Sequence, residues 1–173
     1  MLDNVRADLA RFGEGWRPRV RGLLSQGFQA IVVYRFFHAC RKAGIPTQPF
    51  RFIVERFIEI TTGIQIPASC QIGPGLRIHH FGGIIFHPSV KLGEGCTLYQ
   101  GVTIGDRGGS GDAAEVGDRV TFGAGAVITG EIVIGDDCFV GANAVVRESV
   151  PAGHIAVGNP AVVKQRKPRI EAS

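Results

Sequence analysis

Residues 116–145 read VGDRVT FGAGAV ITGEIV IGDDCF VGANAV when they are written in groups of six. The same period extends from Ile66 to Pro151, with a large apolar residue at the first position of nearly every group. Neither the 3.6-residue period of a helix nor the alternation of an ordinary strand produces this pattern. It is typical of a parallel β-helix, in which three groups make one triangular coil of about 18 residues. About five stacked coils are predicted, enough for a continuous core.

Each position of the repeat has a predicted role. The first residue points inward and stacks on its equivalent one coil along, about 4.8 Å away. The fifth is small or β-branched and fills the corner beside it, as at Cys70, Cys96 and Cys138. The second is often glycine, which is expected to let the corner turn through a positive φ. These glycines are Gly73, Gly93, Gly105, Gly117, Gly123, Gly135 and Gly141.

Composition limits the classes of protein that remain. The chain has 173 residues, a net charge of +4 and no cluster of Lys and Arg interleaved with aromatic residues. This argues against a nucleic-acid partner and favours an anionic ligand or surface. The four cysteines form no CxxC pair, so buried thiols are expected rather than metal ligands. The start of the chain lacks a signal-peptide pattern, and no apolar run approaches roughly 18 residues, so a cytoplasmic protein without membrane spans is expected.

The residues before the repeat are predicted to be helical. Apolar residues at helical spacing indicate helices at Ser25–Arg41 and Pro49–Thr61, and Gly63 ends the second. A short helix is also expected at residues 3–12. The aromatic residues of this region favour a cap that covers the first coil and contacts neighbouring subunits. Contact with a membrane surface through the same helices is the second interpretation.

Three regions follow from these patterns. Residues 1–62 form the helical cap, residues 63–163 the β-helix, and residues 164–173 a basic C-terminal tail.

Two breaks in the period are expected to carry function, because loops on a rigid scaffold often do. The first is His79-His80-Phe81-Gly82-Gly83, and the second is the Gly-rich segment 105–115, which should project from its coil. A histidine is the natural general base near neutral pH, so the His pair is predicted to be catalytic rather than merely a surface or interface feature. A zinc site would need three convergent ligands, and adjacent histidines point apart, so no metal is predicted.

The hexads, the segment Ile78–Gly83, the segment Gln100–Gly105 and the ending Gly158-Asn159-Pro160-Ala161 resemble the hexapeptide-repeat acyltransferases. The resemblance covers residues 26–165 and is strongest to the serine O-acetyltransferases and the related surface-polysaccharide O-acetyltransferases. It implies a mainly β fold, a left-handed parallel β-helix with an N-terminal α-helical cap. It also implies a homotrimer, or a multiple of trimers, with the co-substrate acetyl-CoA between neighbouring subunits.

The resemblance also implies roles for individual residues. His80 matches the catalytic base, and His79 stands where the family has aspartate. The acceptor site falls on Gln65, Gln100 and Asp112, with Gln65 in place of the carboxylate that orients the base. Glu55, Glu59 or Asp112 would then have to assist. The residues that match the acetyl-CoA site are Gly105, Ala124 and Ala142 along the pantetheine arm, and Lys164, Arg166 and Lys167 at the phosphates.

These departures decide the predicted acceptor. The charged groups that would hold the carboxylate and ammonium of serine are missing from the second break. A site that binds a charged ligand through charged side chains loses affinity when those side chains are absent. The predicted function is therefore acetyl transfer to a sugar hydroxyl of a surface-polysaccharide precursor. The alternative is a serine O-acetyltransferase of cysteine biosynthesis. A non-catalytic β-helix and a trimeric metal hydrolase or hydratase are hypotheses from other classes.

Overall fold

The computed structural model describes residues 1–108 and 111–166. Four helices come first: α1 Leu2–Ala10, α2 Trp16–Leu24, α3 Gln26–Lys42 and α4 Phe50–Thr62. The side chain of Ser25 caps α3 by accepting a hydrogen bond from the Phe28 N–H at 3.3 Å. Gly63 ends α4 in the left-handed conformation, with φ 65°. The two longer predicted helices are confirmed within a residue or two, whereas α2 was not predicted.

Short strands make up the rest of the described chain. They are β1 Ile64–Gln65, β2 Gln71–Ile72, β3 Arg77–Ile78, β4 Ile84–Phe86, β5 Lys91–Leu92, β6 Thr97–Leu98, β7 Thr103–Gly105, β8 Glu115–Val116, β9 Thr121–Phe122, β10 Val127–Thr129, β11 Val133–Ile134, β12 Phe139–Val140, β13 Val145–Val146, β14 His154–Val157 and β15 Val162–Gln165.

Every third strand up to β13 joins the same sheet, and β14 then follows β12, which makes three parallel sheets around one core. Sheet A holds β1-β4-β7-β10-β13, sheet B holds β2-β5-β8-β11, and sheet C holds β3-β6-β9-β12-β14. The last strand, β15, adds to β14 as an antiparallel edge. The chain therefore winds about five times, as the six-residue period predicts.

The repeat places its apolar residues inside. First-position residues from Ile72 to Val146 in the described chain are buried, and register pairs such as Ile78 with Leu98 and Leu98 with Phe122 stack them coil upon coil. The first-position Ser110 lies outside the described residues. The three cysteines of the corner position are buried free thiols, and burial raises the pKa of Cys70 to about 12 and that of Cys96 to about 11.

The expectation that second-position glycines supply a positive φ was wrong. The positive φ values lie two residues later, at Gly75, Gly101 and Gly125, and at Asn143 in the equivalent place one coil on. Most second-position glycines are needed because the coils approach too closely for a side chain. A Cβ at Gly123 would lie 2.5 Å from the backbone nitrogen of Ala142, where real Cβ atoms essentially never lie.

The helices cover the open end of the first coil. Gly27 of α3 lies against Ile78, where an added Cβ would be 2.8 Å from the Ile78 carbonyl oxygen. The Tyr34 hydroxyl donates to the Cys70 carbonyl at 2.9 Å. These contacts fix the cap on the coil that ends at His79. Within residues 1–108 and 111–166, no helix is long and apolar enough to cross a membrane.

Candidate active site

The two predicted catalytic histidines follow β3 at the corner between sheets C and A. The His79 N–H donates to the Leu98 carbonyl at 2.9 Å, and the Tyr99 N–H donates to that of Phe122 at 3.1 Å. Because this register is kept from coil to coil, His79 lies above Tyr99. The first break in the repeat therefore stands at the end of the first coil, on a corner that continues down the molecule.

His79 is held by its neighbour in the next coil. Its imidazole stacks on the Tyr99 ring with 4.6 Å between centroids and an interplanar angle of 5°. This partial burial lowers the pKa of His79, and the nearby Arg77, His80 and Arg11 lower it further. A lowered pKa favours the neutral imidazole near pH 7. The stacking and the neutral state suit a residue that positions its neighbour.

His80 is exposed and begins a column of outward residues. Two residues after each inward residue of sheet C lie His80, Gln100, Ala124 and Ala142, in that order from the first coil to the fourth. The Ala124 carbonyl accepts from the Asn143 N–H at 2.8 Å, which keeps the last two members in register. The side chains shorten below Gln100 and leave a shallow track that leads away from the imidazole. An extended, uncharged arm of a ligand would fit along it.

Arg77 and Arg11 form a cationic patch beside the histidines, which we call the arginine pair. The Arg77 guanidinium donates to the Arg11 carbonyl and lies over the Phe12 ring at 4.6 Å, and Arg11 donates to the Thr97 hydroxyl at 2.9 Å. Neither guanidinium has an acidic partner among the described residues.

Burial and the charge of Arg11 lower the pKa of Arg77, and its buried Nε has no hydrogen-bond partner in the described structure. Two cations without a counter-charge favour an anion at this place.

The arginine pair was not predicted. Arg77 faces the same side of β3 as His79, two residues along, and that signal was available from the repeat. Arg11 comes from the short segment after α1, and its approach to Arg77 is a contact between residues 66 positions apart. Sequence spacing carries no signal for such a contact.

Gln65 lies on sheet A, whereas the histidine column follows the strands of sheet C. Its register neighbour is Ile85, and it lines a cavity of about 230 Å³ between α3, α4 and β1. Glu55 and Glu59 line the same cavity, where they pair with Arg51 at 3.5 Å and with Arg56 at 2.8 Å. Burial raises the pKa of Glu55, against the opposing effect of Arg51.

In the described part of the chain, no hydrogen bond joins either imidazole to Gln65 or to a carboxylate. An orienting partner for His80 is therefore not supplied by these residues of the same chain.

The second break also lies apart from the histidines. Gly105 ends β7, the central strand of sheet A, opposite Thr129, and an added Cβ there would meet nothing within 4 Å. Asp112 is exposed in the segment that follows. The segment does not project throughout, because Ala113 is buried and its N–H donates to the Ser89 hydroxyl at 2.9 Å. The side chain of Arg107 lies over Gly130.

The predicted phosphate-binding residues lie at the last coil. Lys164 is on β15 opposite Ile155, at the foot of sheet C, and Arg166 donates to the Asp137 carbonyl at 3.4 Å. Both are exposed. Lys167 lies outside the described residues. The first-coil histidines and the last-coil cations thus lie at opposite ends of the solenoid. Among the described residues, no group of three His, Cys, Asp or Glu side chains could hold a metal ion.

Comparisons with known proteins agree on one kind of enzyme. The family described as bacterial transferase hexapeptide (six repeats) matches residues 113–148. A serine acetyltransferase of Helicobacter pylori is 38% identical over 144 residues, which cover 80% of this chain and 81% of that protein.

Solved structures extend the similarity over nearly the whole fold. The serine acetyltransferase of Neisseria gonorrhoeae matches with a TM-score of 0.85 at 30% identity, covering 94% of this chain and 64% of that one. The serine acetyltransferase of Brucella abortus strain S19 in complex with coenzyme A matches with a TM-score of 0.84 at 26% identity, covering 92% and 65%. The chain therefore spans about two thirds of the length of these two solved chains.

Proposed function

Because the chain belongs to the hexapeptide-repeat transferase family, with serine acetyltransferases as its relatives, it is an acetyl-CoA-dependent O-acetyltransferase with a left-handed β-helix, and we propose that its acceptor is the hydroxyl of L-serine. The observation that carries the proposal is the 38% identity to a serine acetyltransferase over about four fifths of both chains. The comparisons thus support the serine alternative better than the sugar hydroxyl that the sequence favoured.

The proposed chemistry begins at His80. Its imidazole takes the proton from the acceptor hydroxyl, and the oxygen attacks the thioester carbonyl of acetyl-CoA. Backbone N–H groups stabilise the negative charge on the carbonyl oxygen until the thiolate of CoA leaves. The column Gln100, Ala124 and Ala142 offers a track for the pantetheine arm, with Gly105 a further contact. Lys164, Arg166 and Lys167 are the proposed contacts of the phosphates.

The site is proposed to be completed by a neighbouring copy in a homotrimer located in the cytoplasm. His80 has no carboxylate partner among the described residues of its own chain, although an imidazole base needs a group that orients it. Gln65 and Asp112 lie elsewhere on the solenoid, and Glu55 and Glu59 lie on α4. A neighbouring copy could bring one of its own such residues to His80. This arrangement would reunite residues that one chain keeps apart.

The arginine pair gives serine a place for its carboxylate. In the sequence, the loss of charged residues at the second break argued against serine. Arg77 and Arg11 now supply two cations beside His79 without any acidic partner among the described residues. A charge-assisted contact to a carboxylate is among the stronger hydrogen bonds in proteins. The carboxylate of serine would therefore meet positive charge at the arginine pair instead of at the second break.

A second candidate remains a sugar hydroxyl of a surface-polysaccharide precursor. It is favoured by the uncharged Gln65 and by Gly111–Glu115, which contains no cation. Arg107 cannot replace that charge at the histidines because its side chain lies over Gly130, at another corner.

The test of the acceptor is the rate of CoA release from acetyl-CoA. L-Serine is expected to support turnover at concentrations of about 1 mM or below, well above the rates without acceptor and with D-serine. A panel of sugars and nucleotide sugars serves as the comparison. Turnover with a sugar but not with L-serine would replace the proposal by the second candidate.

Arg77→Gln is expected to raise the KM for L-serine roughly 10- to 100-fold, because it removes a charge-assisted contact to the carboxylate. The wild-type enzyme should prefer serine to serinamide, which lacks the negative charge, and the variant should lose most of that preference. A merely structural role of Arg77 would lower both activities alike. Arg41→Gln, an exposed change at the end of α3, is the matched control and should leave the preference intact.

A further inference from the structure

Helix α2 places its largest apolar side chains outside the molecule. Trp16 is 71% exposed, Leu24 73%, Leu23 51% and Val20 44%. The helix sits on the cap through its smallest residue instead. A Cβ at Gly22 would lie 2.7 Å from the ring of Phe12, so this face is already in close contact. The apolar side chains of α2 therefore do not pack in the core of the described chain, and their exposure indicates a contact with another molecule.

The same helix carries an excess of positive charge. Arg17, Arg19 and Arg21 are exposed, and α2 contains no acidic residue. None of the three arginines has an acidic partner among the described residues. The Arg17 guanidinium lies 5.4 Å from the centroid of the Trp16 ring. Tryptophan, leucine and arginine on one short helix match the chemistry of the boundary between lipid headgroups and acyl chains.

We propose that α2 binds the surface of a membrane that contains anionic lipids. Its apolar residues would enter the acyl boundary, and its arginines would meet the negative headgroups. A second copy of α2 is the poorer occupant, because a symmetric contact would bring three arginines of each copy together. The exposed apolar face of α4 lacks such unpaired positive charge, since Arg51 and Arg56 pair with acidic residues of the same helix.

The binding is reversible. One short helix offers few apolar residues, so attraction between its arginines and the headgroups contributes much of the affinity. Three basic residues correspond to roughly 100-fold tighter binding to anionic than to neutral vesicles, and added salt weakens it. Such contact would hold the enzyme at the membrane surface through α2 alone.

Trp16 reports on the contact directly, because it is the only tryptophan of the chain. We expect its emission to shift to shorter wavelength when the full chain is mixed with vesicles of phosphatidylcholine and phosphatidylglycerol, and not with phosphatidylcholine alone. Sedimentation with the vesicles gives the bound fraction. Leu23→Ser combined with Leu24→Ser should abolish both signals. Val133→Ser, an equally exposed apolar change on sheet B, should leave both unchanged.

The charge is tested separately. Replacing Arg17, Arg19 and Arg21 together by Gln should reduce binding to anionic vesicles at least tenfold, whereas Arg147→Gln on the fifth coil should not. Equal binding to both kinds of vesicle, or no spectral shift, overturns the proposal. A short-wavelength emission of the protein alone that depends on its concentration also overturns it, since α2 would then be covered by a second copy. All these measurements are independent of acetyl transfer.

Discussion

His80→Ala is expected to lower kcat for acetyl transfer by about 10²- to 10⁴-fold, which is the usual contribution of a general base. The imidazole stands exposed at the head of the column that descends to Ala124 and Ala142. The acceptor hydroxyl and the thioester are proposed to meet at this imidazole. Without it, the acceptor hydroxyl must lose its proton to water. The KM for acetyl-CoA should change little, because the methyl of alanine leaves the rest of the track in place. Initial rates of CoA release measure both constants.

Two other histidines make this result specific. His79→Ala should lower kcat much less than His80→Ala, because His79 stacks on Tyr99 and is proposed only to position its neighbour. His38→Asn keeps a donor for the Ala68 carbonyl, 3.1 Å from the present imidazole, and should leave kcat unchanged. If His79→Ala abolished turnover while His80→Ala preserved it, the roles of the two histidines would be reversed. Equal full activity in both variants would exclude a histidine base at this corner.

The fold was predictable because its period determines where every side chain points. Equivalent residues of the repeat stack on one another from coil to coil. The inward positions, the buried cysteines and the break at His79 can therefore be found by counting residues along the repeat. The column from His80 to Ala142 follows from the same counting. Tyr99 could have been found in this way too, since it occupies the position of His79 one coil on.

Contacts outside the repeat were not predictable by counting. Arg11 reaches Arg77 from the helical cap, and α2 was missed because Pro18 and its arginines hide a nine-residue helix. Proline is tolerated there because the backbone N–H groups of the first helical turn have no acceptor within the helix, so a residue without an N–H loses no hydrogen bond. The second-position glycines were interpreted through their freedom at positive φ, whereas the distance between coils decides their identity. That distance is a property of stacked coils, which a single coil does not reveal.

Arg35→Leu is expected to lower the free energy of unfolding by about 3–5 kcal/mol. Arg35 is 3% exposed, and Asp8, its partner, is fully buried. The guanidinium donates to both Asp8 oxygens at 2.9 and 3.1 Å, and to the Ile72 and Gly73 carbonyls at 2.6 and 2.7 Å. Leucine would leave a buried carboxylate and two carbonyls without their cation. Thermal denaturation should show the melting temperature falling by roughly 6–20 °C.

The double variant Asp8→Leu, Arg35→Leu separates the ion pair from packing. If the cost comes from a stranded charge, removing both groups should restore part of the stability lost in Arg35→Leu. Losses that simply add would show that the pair is not coupled. Arg119→Ala breaks the exposed pair with Asp137, and its melting temperature should change far less.

This ion pair also connects stability to activity. The Asp8 carboxylate accepts from the Leu76 N–H at 2.8 Å, so α1 and α3 together hold the backbone that leads from β2 into β3 and on to His79. Among residues 1–108 and 111–166, only this cap stacks on the first coil from above, and a solenoid end without cover is its weakest part. Arg35→Leu should therefore reduce kcat already below its melting temperature, as the first coil loosens around His80. Unchanged kcat in a clearly destabilised variant would show that the first coil keeps its shape without the cap.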